Sequence, residues 1–200
     1  MKILTVALFL AAGLATAQPL PPVGPSDYPG TLQLRVDATD VERRILRVQQ
    51  TLPVRPGPLV LYYPSWVPGW HSPTGRITQF AGLTLRAGTR LLAWRRNSVE
   101  MNAFHLEVPP GVTAIEAEFQ YLASVDGGSG RVDVTREMLG LAWDTVLLYP
   151  AGHDATRIVV QAELRLPAGW QHASALELEV QDGARRVFRP VDLDTLVDSP

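Results

Sequence analysis

Apolar and polar residues alternate along most of this 200-residue chain, and the period is two. Leu32, Leu34, Val36 and Ala38 fall on one face of an extended segment, with Gln33, Arg35 and Asp37 on the other. That is the pattern of a strand with one side buried. Leu46, Val48 and Leu52 repeat it, with Gln50 standing in the apolar row. Phe104, Leu106 and Val108 alternate with His105 and Glu107, and Ile115, Ala117, Phe119 and Tyr121 with Glu116, Glu118 and Gln120. Ile158, Val160, Ala162, Leu164 and Leu166 form the longest clean stripe. Residues 59–63 are apolar on both faces, which predicts a central strand.

Glycine and proline separate these runs. Asp182-Gly183, between Leu176, Leu178, Val180 and Val187-Phe188, predicts a tight hairpin. Gly88, between residues 83–85 and 91–94, predicts another. Pro109-Pro110-Gly111, Pro150-Ala151-Gly152 and Pro167-Ala168-Gly169 read as turns, and residues 124–130 as the most flexible interior loop. Only residues 136–141 and 192–197 suggest helices, both short. There is no internal repeat. The expectation is an all-β domain of about ten strands, an antiparallel sandwich or open barrel.

The N-terminus departs from this period. Lys2, an apolar run over residues 3–14 and Ala15-Thr16-Ala17 read as a cleavable signal peptide of residues 1–17. The run is too short to span a bilayer, and nothing later has the length of a membrane span. The chain is therefore expected in the periplasm or secreted, with Gln18 as its first mature residue. Residues 18–27 are proline-rich and aperiodic and read as a flexible leader. Residues 28–200 are left for one domain with a sizeable core. Cysteine is absent, which removes thiolate chemistry and Cys-ligated metals. The formal charge of −2 and the lack of a basic stripe argue against nucleic acid. Lys2 is the single lysine, so the other seventeen basic residues are arginine. The pairs Arg43-Arg44, Arg95-Arg96 and Arg185-Arg186 read as solvated turn residues.

Catalytic patterns are hard to find. His71, His105, His153 and His172 show no helical zinc spacing, and there is no HExxH. His105 points outward on its strand. His153-Asp154 sits in a turn, where a catalytic pairing is a weak reading. Gly127-Gly128-Ser129-Gly130 lacks the context of a nucleophile elbow. No catalytic residue, cofactor site or metal site is assigned to this chain, and it is not expected to be an enzyme alone. The densest local signal is Pro64-Ser65-Trp66-Val67-Pro68-Gly69-Trp70-His71. Pro64 ends the preceding strand, and Pro68-Gly69 fits the centre of a type II turn. The two indoles either cap the core or form a docking surface. On the second reading Trp66, Trp70, His71 and Arg76 are the candidate contacts, since interfaces favour tryptophan and arginine.

Three of these patterns together resemble the N-terminal domain of the glycyl aminopeptidase family of zinc metallopeptidases, the sixty-first metallopeptidase family. Residues 64–69 resemble its P-x-W-x-P-G segment after a buried strand. Leu166-Pro167-Ala168-Gly169-Trp170, with Ala173-Ser174-Ala175-Leu176, is similar to its L-P-x-G-W and A-x-A-L. Residues 193–200 resemble its closing L-V-D-S-P, and Leu148-Tyr149-Pro150-Ala151-Gly152 adds support. The resemblance implies a non-catalytic β-sandwich that walls the cleft of a following thermolysin-like domain. The zinc and its ligands would lie in that domain, which this sequence does not contain. The catalytic domain would begin at Pro200, and the two-residue tail after Asp198 favours truncation over a free-standing protein. The alternative is a free-standing exported module that binds carbohydrate or peptide, with Trp66 and Trp70 as a stacking platform.

Overall fold

The alternating stripes become strands, and each buries its apolar row. The computed structural model describes residues 19–66, 72–73, 77–125 and 132–199. Residues 1–17, expected to be a signal peptide, and most of the loop at residues 124–130 lie outside the described residues. In chain order the strands are β1 (Thr31–Asp40), β2 (Ile45–Pro53), β3 (Gly57–Tyr62), β4 (Phe80–Ala87), β5 (Arg90–Leu92), β6 (Trp94–Arg96), β7 (Ala103–Val108), β8 (Ala114–Leu122), β9 (Val132–Val134), β10 (Leu139–Leu141), β11 (Tyr149–Pro150), β12 (Val159–Arg165), β13 (Leu178–Asp182), β14 (Arg185–Phe188) and β15 (Val191–Asp192). A helix, α1 (Leu193–Asp198), follows.

The larger sheet runs β13-β14-β12-β1-β2-β8-β4-β5, with β15 also on β12. The smaller runs β11-β3-β7-β6, so β3 is central as its two-faced apolarity predicts. A separate hairpin joins β9 and β10. The two large sheets enclose one core. Phe80 of β4 sits at its centre, with ring centroids 4.6 Å from Phe119, 5.1 Å from Tyr63 and 5.4 Å from Phe104.

Fifteen strands exceed the expected ten because six have only two or three residues, too few to show a period. The pairing is also not wholly antiparallel. β1 runs parallel to β12, from Thr31 opposite Val159 to Asp37 opposite Arg165. Residues 91–94 do not form one returning strand either. The chain changes sheets at Ala93, with β5 in the large sheet and β6 in the small, making a sandwich corner. In β4 the buried residues Phe80 and Leu83 are three apart, not two. A register shift between Ala81 and Thr84, with Gly82 at φ 70°, absorbs the extra residue as a bulge.

The short helix expected at residues 136–141 is absent. The Thr135 hydroxyl accepts from Glu137 N and Met138 N, and Thr135 N donates to Met138 O at 2.8 Å. These bonds close a turn and start β10 in place of a helix. The second expected helix forms as α1, where Asp192 accepts from Thr195 N at 2.8 Å and Leu193 and Leu196 are buried.

Two polar side chains belong to the core in ways their sequence context hides. Gln50, the interruption in β2, is buried and clasps Leu148 by both backbone groups. Its Nε2 donates to Leu148 O at 2.9 Å and its Oε1 accepts from Leu148 N at 2.7 Å. Arg186 was read as a solvated turn residue and is buried instead. Its guanidinium donates to Gly183 O, Arg185 O and Trp170 O and to His172 Nδ1, so acceptors replace the lost water.

The proline-rich segment makes contacts that its composition does not show. From Pro19 onward it lies against the sandwich. Gly24 N donates to Gly152 O at 2.9 Å, and Arg157 Nη1 donates to Pro25 O and to Asp27 Oδ1. The physical reason is that prolines leave few backbone donors to satisfy, so a handful of bonds and apolar contact suffices to seat it.

Candidate functional site

The chain leaves β3 into the segment singled out by sequence. Tyr63 is buried, and its backbone N donates to Asn102 O at 2.8 Å. Asn102 Nδ2 returns a bond to Tyr63 O at 3.1 Å. These bonds bring residues 64–66 beside the loop of residues 97–102 at one end of the smaller sheet. Trp66 is 67% exposed, so the indole does not cap the core. Val99 and Met101 of the neighbouring loop are 77% and 50% exposed. Trp70, His71 and Arg76, the other three candidate contacts, lie outside the described residues.

The loop has a built shape. Asn97 Oδ1 accepts from Val99 N at 2.9 Å and Glu100 N at 3.0 Å, and Glu100 Oε1 accepts from Asn102 N at 3.2 Å. These bonds hold Val99 and Met101 out to solvent on a stiff support. Glu100 also acts on two tyrosines. Tyr62 and Tyr149 pair across β3 and β11 with ring centroids 5.8 Å apart. Burial, then the negative charges of Tyr62 and Glu100, push the Tyr149 hydroxyl up to about 12. Burial and Glu100 raise Tyr62 as well. Sequence reading missed Val99, Glu100, Met101 and Tyr149. The one available signal was a pair of apolar residues in an aperiodic polar loop.

The raised hydroxyl has a testable consequence. A folded value above the unfolded one means that the neutral phenol favours the fold. That contribution is complete below an ordinary tyrosine value of about 10 and is lost as pH rises through about 12. Melting temperatures followed upward from about pH 9 are expected to fall more steeply for the parent chain than for Tyr149→Phe. Parallel curves would refute the assignment.

A second concavity, of about 980 Å³, lies over the outer face of the smaller sheet. Arg95, His105 and Val60 lie side by side in register across β6, β7 and β3 on its floor. Tyr28, His153 and the prolines at 19, 21 and 22 line it too. The Tyr28 hydroxyl donates to Pro53 O, and the His153 ring stands edge-on to Tyr28 at 5.4 Å. The side chains of His153 and Asp154 bond to different partners. Asp154 accepts from Thr156 N and Oγ1, which lowers its carboxyl and starts a single helical turn. His153 Nδ1 contacts Ser26 O at 3.2 Å. Among the described residues no three His, Asp or Glu side chains converge as a metal site. No helix among them is long and apolar enough to cross a membrane.

Comparison with known proteins addresses the whole chain. The family model for the Peptidase M61 N-terminal domain matches residues 33–200. Among solved structures, an aminopeptidase N family protein from Idiomarina loihiensis shares the fold with a TM-score of 0.72 at 16% identity, covering 84% of this chain and 28% of that one. Legionella pneumophila aminopeptidase A, in complex with aspartic acid, aligns with a TM-score of 0.48 at 10% identity, covering 84% and 20%. An M1 zinc metallopeptidase from Deinococcus radiodurans aligns with a TM-score of 0.44 at 10% identity, covering 86% and 41%. This chain therefore spans less than half the length of each of these three proteins. No curated protein sequence matches it. The match over residues 33–200, on a two-sheet β fold, places the chain in the Peptidase M61 N-terminal domain family.

Proposed function

We propose that this domain is the non-catalytic accessory part of an exported zinc aminopeptidase, and that it docks through the Trp66 end against a catalytic domain. The observation that carries the reading is the exposure of Trp66, Val99 and Met101, on segments joined by the Tyr63–Asn102 bonds, in a chain of this family. A tryptophan held in water at one end of a well-packed sandwich is an unused apolar surface, and a partner domain is what such a surface fits. Seated there, the domain walls one side of the cleft and excludes water from the reacting centre. Its role is positioning. Zinc does not fit the described residues, because no donor set converges among them. Its ligands would come from the partner domain.

Trp66→Ala tests the docking surface. In the protein that carries both domains, the substitution is expected to leave the melting of the β-domain within about 0.5 kcal/mol. It should separate the thermal transitions of the two domains and lower turnover. A loss of several kcal/mol in the β-domain itself would instead make Trp66 a packing residue. The reading frame downstream of Pro200 is a second check. An in-frame HExxH supports the proposal, and a stop codon followed by an unrelated gene defeats it. Export is checked separately, by finding Gln18 at the N-terminus of mature protein recovered from the periplasm or medium.

A further inference from the structure

The groove over the smaller sheet plays no part in domain docking as proposed above, yet it has the features of a binding site. It is concave, large enough for a short peptide, and walled mostly by apolar side chains. Eight of its lining residues are prolines, which have no backbone N–H, so its donors must come from a few side chains. Arg55 and Arg95 supply two guanidiniums, and neither forms a hydrogen bond or ion pair with any described residue. Glu107 is the single carboxylate in the lining. The groove is therefore locally cationic in a chain whose formal charge is −2.

His105 adds a donor whose tautomer is set by its neighbour. Asn97 Oδ1 is committed to Val99 N and Glu100 N, which fixes the orientation of the amide. Its Nδ2 therefore donates to His105 Nε2 at 2.9 Å. A neutral His105 then carries its proton on Nδ1, as a free donor beside Arg95, its direct partner across β6 and β7.

The backbone offers a second kind of contact. Among the described residues β6 pairs only with β7, which leaves its other edge open to them. Asn97 N donates to Ala103 O, which fixes the phase of the ladder. Arg95 thus bonds inward to His105, while Trp94 and Arg96 turn their N–H and C=O groups to the open edge. Trp94 also lines the groove. An extended peptide can use that edge as an added strand, which a simple fatty acid cannot do.

We propose that this groove binds the C-terminal end of an apolar peptide. The chain lies extended along the open edge of β6. Its terminal carboxylate pairs with Arg95 and accepts from His105 Nδ1–H, and Arg55 adds a second positive charge. Three features support that choice of occupant. They are the unpaired guanidiniums, the fixed imidazole donor and the unpaired strand edge beside an apolar wall.

The test is calorimetric titration of the full mature chain with acetyl-Ala-Val-Ala-Leu bearing a free carboxylate. The same peptide as its C-terminal amide and decanoate serve as the comparison probes. The free acid is expected to bind, with the amide at least about tenfold weaker, as a lost charge-assisted contact implies. Decanoate is expected to be weaker than the peptide acid, having no backbone to pair with β6. Arg95→Gln is expected to weaken the acid about tenfold without touching the amide, and Glu107→Gln to strengthen the acid. Both side chains are exposed, so melting temperatures should not move. No binding of the acid at millimolar concentration, or equal binding of acid and amide, would overturn the proposal. Equal binding of decanoate would overturn the peptide as occupant. Trp66→Ala should leave this binding unchanged, so the docking and groove readings fail separately.

Discussion

Phe104→Ala is expected to destabilise the domain by about 3–5 kcal/mol, the range for removing a fully buried aromatic ring. Phe104 has no exposed surface and stands at the junction of the sheets. Its ring lies 5.4 Å from Phe80 of the larger sheet and 5.3 Å from Trp94 of its own. Arg96 sits over its face, with the guanidinium carbon 5.2 Å from the ring centroid. Trp94 is itself fixed by a bond from Nε1 to Leu83 O at 3.3 Å. The ring's neighbours are thus tied to both sheets and cannot close over the hole. Partial collapse places the cost toward the upper part of that range. For a domain of this size the melting temperature should fall by roughly 6–20 °C. A drop of only a degree or two would show that the two sheets are held together elsewhere.

The second large effect is expected at Gln50. Gln50→Leu keeps the volume and removes both bonds to Leu148, leaving a buried N–H and a buried C=O without partners. Each orphaned group costs about 1–3 kcal/mol, so a total of about 2–6 kcal/mol is expected even though the new side chain is apolar. Gln50→Glu gives a sharper signature. An ionised carboxylate can accept from Leu148 N but faces the carbonyl at Leu148 O, so the buried site favours the protonated acid. The folded value of that glutamate would lie above its unfolded value near 4.3. The variant should therefore keep most of its stability below about pH 4 and lose it as pH rises through the raised value. The parent has no such dependence at this position. Denaturant melts of the three proteins across that range check the claim. Equal stability of parent and Gln50→Leu would mean that water or backbone movement replaces the clasp.

The long strands were legible because each carries its own evidence. β1, β8 and β12 alternate over seven or more residues, and Ile115, Ala117, Phe119 and Tyr121 of β8 are all buried. β10 and β11 were not, since two or three residues cannot display a period. Their strand character comes from a neighbour: Tyr149 extends because Tyr62 is already extended beside it. The parallel partnership of β1 and β12 was equally invisible, because alternation says which face is buried and nothing about which strand lies alongside. The sequence raises Trp66 as a candidate because the prolines and glycine around it predict a turn. The loop with Val99 and Met101 was missed because what places it there is the pairing of Tyr63 with Asn102. Arg186 failed for the same reason. Two acceptors from the β13–β14 hairpin, one from the turn at Trp170 and one from His172 convert a surface residue into an interior one, and the Arg-Arg dipeptide does not imply that convergence.

The β1–β12 pairing also orders events in time. A ribosome working at 5–20 residues per second completes β12 roughly 6–25 s after β1 has emerged. During that interval β1 can pair with β2, but its other edge has no partner and the sheet remains half built. Closing it demands contacts far apart in sequence, which slows folding. For the export proposed above, which threads a chain through a membrane before it folds, that delay is useful. The strand that begins the domain waits for one more than a hundred residues later, so the sheet stays open until most of the domain has been made.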